Sequence, residues 1–316
     1  MPSGQALIRS TACAIVDQLN SGEVTPLDLL DALENRIAEI DGKTNALPTL
    51  CFDRARAQAK VLMQKPAGER GLLAGLPVPI KDLTNVAGVK TTQGSPIYKD
   101  TIPAHSDIVV ELIESNGGVV YAKSNTPEFG AGAHTFNEVF GATRNPWDLS
   151  RSASGSSGGA AVALATGTAW LAHGTDMGGS LRNPASFCGV VGLRPSIGRV
   201  PHSPAFKIDR NLTVHGPMAR NVEDLALCLD AMSGEHPGDP LRVRRRRHAV
   251  RAARAVLETR GTLLVEAPHP SVRALARDPH RLGDVGDGHP RADALDEQPS
   301  SMRGQSGITV RHEGLP

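Results

Sequence analysis

Apolar residues in the first part of the chain recur every three or four positions. Leu30, Leu33, Ile37 and Ile40 follow Thr25-Pro26 and Asp28, so the spacing predicts a helix with a threonine cap, a proline in its first turn and a capping acid, stopped at Asp41-Gly42. Ser106 to Asn116 reads as another helix, and Val119-Val120-Tyr121-Ala122, after Gly117-Gly118, as a short buried strand. Leu76, Val78 and Ile80 lie among prolines and form a short apolar strand that delivers Lys81 at its end. Ala160 to Ala165 predicts a buried helix ending at Gly167. Thr168 to Ala172 leads into a glycine-rich loop, and Asn221-Val222-Glu223-Asp224 opens a last helix running through Leu225 and Leu229 to Met232. Helical and strand signals alternate, which predicts an α/β layered core.

Beyond Pro240 the pattern fades. From Leu241 to Pro316 there is no Phe, Trp, Tyr or Lys, while Arg242, Arg244, Arg245, Arg246 and Arg247 crowd together. A segment without aromatics is poorly equipped to bury a core. Residues 1–240 are therefore expected to form the core and residues 241–316 a disordered, Arg-rich tail. Its composition resembles translation of a GC-rich gene in the wrong frame. The rival reading is a basic tail for nucleic acid or membrane, diluted by Glu258, Asp284, Asp287, Asp293 and Glu297.

Length, charge and cysteines narrow the class. At 316 residues the chain can form one large or two ordinary domains. A formal charge of +1 argues against nucleic-acid binding as the main task. Cys13, Cys51, Cys188 and Cys228 are scattered without a C-x-x-C, which favours reduced thiols, a cytoplasmic setting and no zinc site. Cys188 sits among Phe187, Val190 and Val191 and reads as a small core residue. No apolar stretch approaches a membrane span, and the N-terminus lacks the pattern of a signal peptide.

The candidate chemistry lies in three segments. Gly174-Thr175-Asp176-Met177-Gly178-Gly179-Ser180-Leu181-Arg182 places two glycines before a serine, so backbone N–H groups can converge on a developing oxyanion. Ser154-Gly155-Ser156-Ser157-Gly158-Gly159 supplies a second hydroxyl cluster, and Lys81 a base. Each has a bland alternative: a flexible Ser/Gly linker, a helix-capping Ser180, a solvated lysine. The helix that follows directly argues against a linker, and the apolar flanks of Lys81 favour a buried amine with a lowered pKa. Asp176 and Arg182 are either surface charges or an ion pair clamping the loop. Gly155 to Gly159 also fits the G-x-S-x-G elbow with Ser157 as nucleophile. An elbow should follow a hydrophobic strand, whereas Asn145 to Arg151 is turn-rich and charged.

At these residues the chain resembles the amidase signature family of amide hydrolases. The resemblance also covers Phe187-Cys188-Gly189-Val190-Val191-Gly192-Leu193-Arg194-Pro195 and Gly216-Pro217-Met218-Ala219-Arg220, and spans roughly residues 5–236. It implies a mixed β-sheet core flanked by helices on both faces, with the C-terminal part of the fold missing here. It further implies Ser180 as acyl-forming nucleophile, Ser156 as bridging serine, often after a cis peptide bond, and Lys81 as base. The backbone amides of Met177, Gly178, Gly179 and Ser180 would hold the oxyanion. Asp176, Arg182 and Ser157 are candidate loop-supporting residues from their placement. No cofactor or metal is implied. The implied partner is a small-molecule amide, not nucleic acid or membrane, and a homodimer is left open. Substrate identity is not legible; Phe129 and His134 are candidate pocket residues. Two further readings stand beside the hydrolase: the amidase component of an amidotransferase, which the 196–216 stretch does not resemble, and an inactive remnant that keeps the site residues without a completed pocket.

Overall fold

The structure, a computed structural model, describes residues 3–202 and 212–239. Eight α-helices lie among these residues: α1 Gly4–Arg9, α2 Ala12–Ser21, α3 Pro26–Thr44, α4 Phe52–Met63, α5 Ile108–Ser115, α6 Gly158–Thr166, α7 Arg182–Cys188 and α8 Val222–Met232. Ten strands accompany them: β1 Thr49–Leu50, β2 Pro77–Lys81, β3 Val119–Ser124, β4 Phe136–Asn137, β5 Gly141–Ala142, β6 Arg144–Asn145, β7 Asp148–Ser152, β8 Leu171–Asp176, β9 Val191–Gly192 and β10 Val214–Ala219.

Local chemistry sets the helix limits. Thr25 and Asp28 form the expected capping box on α3, with Pro26 in its first turn. The helix passes Gly42, however, and ends at Thr44. Asn45 takes the left-handed conformation that a C-terminal cap requires, and the Asp41 carboxylate accepts the N–H groups of Ala46 (2.7 Å) and Leu47 (3.1 Å). Helix α5 starts two residues later than its apolar pattern suggests. Asp107 accepts the N–H of Asn85 (2.8 Å) and Ser106 that of Ala87 (3.0 Å), so both residues hold the preceding loop. Asn221 caps α8 through the N–H of Asp224 (2.8 Å). Helix α6 is apolar on all sides and buried from Gly158 to Leu164, as expected of a helix enclosed by other elements.

The fold is mixed α/β, but the strands do not form one ladder. One three-stranded sheet has the order β1-β3-β2, with β2 parallel and β1 antiparallel to β3; the other has the antiparallel order β8-β10-β9. Strands β4 and β5, and β6 and β7, form separate ribbons. Strands β2 and β8 lie against each other without backbone pairing, although every residue of both is buried. The prolines explain this: Pro77 and Pro79 have no N–H to donate to a ladder. Helix α6 packs on β2, β3, β8 and β10, α5 on β3 and α8, and α8 on β8 and β10. Among the described residues no helix is long and apolar enough to cross a membrane. The tail expected at 241–316, and most of the Pro201 to Lys207 stretch, lie outside the described residues.

Candidate active site

Lys81 ends β2 and is completely buried. Its ammonium nitrogen Nζ donates to three hydroxyls: Ser156 Oγ at 2.7 Å, Ser157 Oγ at 2.9 Å and Thr175 Oγ1 at 2.9 Å. Burial pushes the amine down to about 7, against the upward pull of the Asp176 carboxylate. A group that is half neutral near pH 7 can take a proton, which a solvated lysine does not do.

The two serines differ in what surrounds them. The peptide bond Gly155–Ser156 is cis, as the resemblance implied, and both serines are buried. Ser157 Oγ donates to Thr175 O (3.2 Å) and accepts the Thr175 N–H (3.3 Å) besides the lysine, so its hydroxyl is occupied on every side. Strand β7, which precedes the cluster, is mostly exposed and pairs only with β6. A buried strand feeding an elbow at Ser157 is thus not what the chain forms. Ser156 is left with the lysine contact alone among the described bonds.

Ser180 lies past the end of β8, half-buried, on the loop before α7. It meets the cluster through its backbone, where the Ser157 N–H donates to Ser180 O at 3.2 Å. No hydrogen bond between the Ser180 and Ser156 hydroxyls is among those described; in unliganded sites such contacts are often long and tighten when substrate binds. Leu181, not Ser180, occupies the N-cap position of α7, and no side-chain cap is made there.

Asp176 organises that loop. Its buried carboxylate accepts the N–H groups of Gly179 (2.9 Å) and Leu181 (3.1 Å), both forks of Arg182 (3.1 Å each) and Arg194 Nη1 (3.1 Å). Burial pushes this carboxyl up, but Arg182 and the two amides outweigh it and hold the group at about 2. The clamp reading of Asp176 and Arg182 is therefore what the geometry shows, with Arg194 as a second arginine. The Gly179 N–H donates to the Asp176 carboxylate, as a buried carboxylate requires donors. Met177 and Gly178 are exposed, and a Cβ placed on Gly178 would meet nothing within 4 Å. Gly179 is buried with φ 121°, and its Cβ would lie 2.7 Å from the Asn183 side chain.

Several contributors leave no mark in the motifs themselves. Thr175 completes the hydroxyl cage; it belongs to the Ser180 motif but has no signal of its own. His173 Nδ1 accepts the backbone N–H of Lys81 at 3.3 Å, and its Nε2 lies 3.0 Å from His215 Nδ1. The triplets Ala172-His173-Gly174 and Val214-His215-Gly216, each beside a signature segment, are the available clue. Phe129 and His134 are exposed, Phe129 with φ 52° and His134 Nδ1 2.7 Å from Ser152 Oγ. Cys188 is buried and its thiol is pushed up to about 12 by burial, in keeping with a core residue.

Comparison with known proteins identifies the family. A family model described as Amidase matches residues 28–272, so the match runs past residue 240. The A-type subunit of the glutamyl-tRNA(Gln) amidotransferase from Alkaliphilus metalliredigens is 42% identical over 219 residues, 69% of this chain and 45% of that protein. Among solved structures, the peptide amidase of Stenotrophomonas maltophilia is 32% identical with a TM-score of 0.71, covering 77% of this chain and 51% of the other. The 6-aminohexanoate cyclic dimer hydrolase is 34% identical with a TM-score of 0.70, covering 75% and 49%. The chain thus spans about half the length of the relatives it matches. A buried lysine facing paired serines, a glycine-rich serine loop clamped by an aspartate, and a family match over most of the sequence lead to one assignment: this chain belongs to the amidase family.

Proposed function

We propose that the chain hydrolyses a carboxylic amide of a small molecule through a Ser180 acyl-enzyme, with Ser156 and Lys81 as proton relay. The observation that carries this reading is the lysine: fully buried, 2.7 Å from Ser156 Oγ and, among the described residues, hydrogen-bonded to three hydroxyls and no carboxylate. Neutral Lys81 takes the Ser156 proton, Ser156 takes that of Ser180, and Ser180 Oγ bonds to the amide carbon. The carbonyl electrons move onto oxygen, held by the expected amides of residues 177–180, of which that of Gly179 also donates to Asp176; one such donor is worth about 3 kcal/mol. The relay returns the proton to nitrogen as the C–N bond breaks, and water then cleaves the ester. The core carrying these groups is residues 1–240. The free thiols support a reducing, cytoplasmic setting.

A second reading places the same chemistry in an amidotransferase, with ammonia passed onward in a complex of several chains; the 42% identity to the amidotransferase relative favours it. Fluorophosphonate labelling with peptide mapping tests the shared step. Ser180→Ala should abolish labelling while Ser157→Ala retains a measurable fraction. Label on Ser157 would end the assignment, and a folded chain with no label would be a remnant that keeps the residues without the reaction. Ammonia release from glutamine, compared with a panel of other amides, separates the two readings.

A further inference from the structure

The way Lys81 is held in place is not explained by the sheet. Asp82 N–H donates to Ser124 O on β3 at 3.0 Å. Successive N–H groups along a strand point to opposite edges, so that of Lys81 faces β8, as would those of residues 77 and 79. Both of these are prolines. Lys81 therefore carries the one N–H on that edge of β2, and it donates to a side chain, His173 Nδ1, at 3.3 Å. His173 in turn meets His215 on β10, Nε2 to Nδ1 at 3.0 Å, with ring centroids 5.1 Å apart.

We propose that His173, backed by His215, is a positioning residue for Lys81: an imidazole strut that replaces the missing ladder between β2 and β8 and fixes the lysine against the serines. The inference rests on the reading of Lys81 as base. The hydrogen bonds assign the tautomers. Because His173 Nδ1 accepts from Lys81, its proton lies on Nε2 and is donated to His215 Nδ1, which leaves the His215 proton on Nε2. Both rings are buried. The titratable groups around them are Lys81 from β2, Lys123 from β3 and His202, whose ring lies 4.5 Å from that of His215; Asp176 acts on Lys81 from the end of β8. Burial, reinforced by these bases, holds His173 down at about 3 and His215 well below its ordinary value. The strut thus stays neutral, and its acceptor stays available, throughout the range in which Lys81 titrates.

The test compares His173→Leu with His173→Asn, whose Oδ1 can occupy the position of Nδ1. The Lys81 midpoint is read by NMR of side-chain-labelled lysine, which needs no turnover, alongside kcat and KM for an amide. In the unaltered protein the midpoint should lie near 7. His173→Leu should raise it towards an ordinary lysine and lower kcat by up to about 10²-fold with KM little changed, whereas His173→Asn should restore both. A folded Leu variant with an unchanged midpoint, or an Asn variant as impaired as Leu, overturns the proposal. If the Leu variant does not fold, His215→Leu removes the acceptor for His173 Nε2 and should shift the midpoint in the same direction by less; no shift there also overturns it. If the unaltered protein takes no label on Ser180 yet the midpoint depends on residue 173 as stated, the catalytic reading fails while the strut stands.

Discussion

Two lysines are buried side by side in this core, and they are not equivalent. Lys81 ends β2 and Lys123 lies on β3, in register with Ile80. Both are completely buried, and burial lowers both, Lys81 to about 7 and Lys123 to about 8. Lys81 faces three hydroxyls. Lys123 donates to Thr84 O and Thr91 Oγ1, both at 2.7 Å, and lies 3.4 Å from Asp82. A hydroxyl can donate or accept, so the Lys81 cage tolerates either protonation state. A carbonyl and a carboxylate only accept, so the surroundings of Lys123 favour the cation. Burial alone does not make a base; the partners decide.

Substitutions should separate the two. Lys81→Ala should lower amide hydrolysis by about 10²–10⁴-fold, and more than hydrolysis of a matched ester, whose leaving group needs less protonation. In the unaltered protein the rate should rise with pH through about 7, as Lys81 loses its proton. Equal losses on amide and ester would remove lysine from the proton path.

Lys123→Ala should act on stability instead. Among the described residues it leaves only Thr92 to donate to the buried Asp82 carboxylate, a loss of about 3–5 kcal/mol for a broken buried pair. Denaturant melts should show the fall, while whatever protein remains folded still labels at Ser180. A stable Lys123→Ala protein lacking label would mean that the second lysine, too, belongs to the reaction.

The smallest effect is the pH dependence of stability. Both lysines bind protons less readily folded than unfolded, so the unfolded chain carries more protons from about pH 7 upward. Stability should therefore rise with pH between about 7 and 9. Cys51, Cys188 and Cys228 are shifted upward by burial and oppose this at more alkaline pH. Lys81→Met should flatten the rise. A slope unchanged by that substitution would show that Lys81 is ordinarily charged in the folded state.

The contrast also marks what a sequence discloses. The Lys81, Ser156 and Ser180 segments announce themselves because glycines and prolines stand beside them and leave a local pattern. The α3 capping box and the α6 helix are equally legible, being built from neighbours. Lys123, Thr175, His173 and His215 are not. Their partners lie far away in the chain, and His173 reaches His215 only because β8 and β10 pair antiparallel, with Thr175 opposite His215. The end of α3 escapes for a different reason, within the local sequence: Gly42 is a weaker stop than Asn45 supported by the Asp41 side chain.

The loop at 177–180 also bears on how such a protein can change. Asp176 grips one side of it, so Gly179 is fixed by its backbone angle and by Asn183. Gly178, one residue earlier, faces open space. Side chains at residues 177 and 178 can thus change in size without meeting the Asp176 clamp, which stays as it is beneath them. Adaptability and rigidity sit one peptide bond apart.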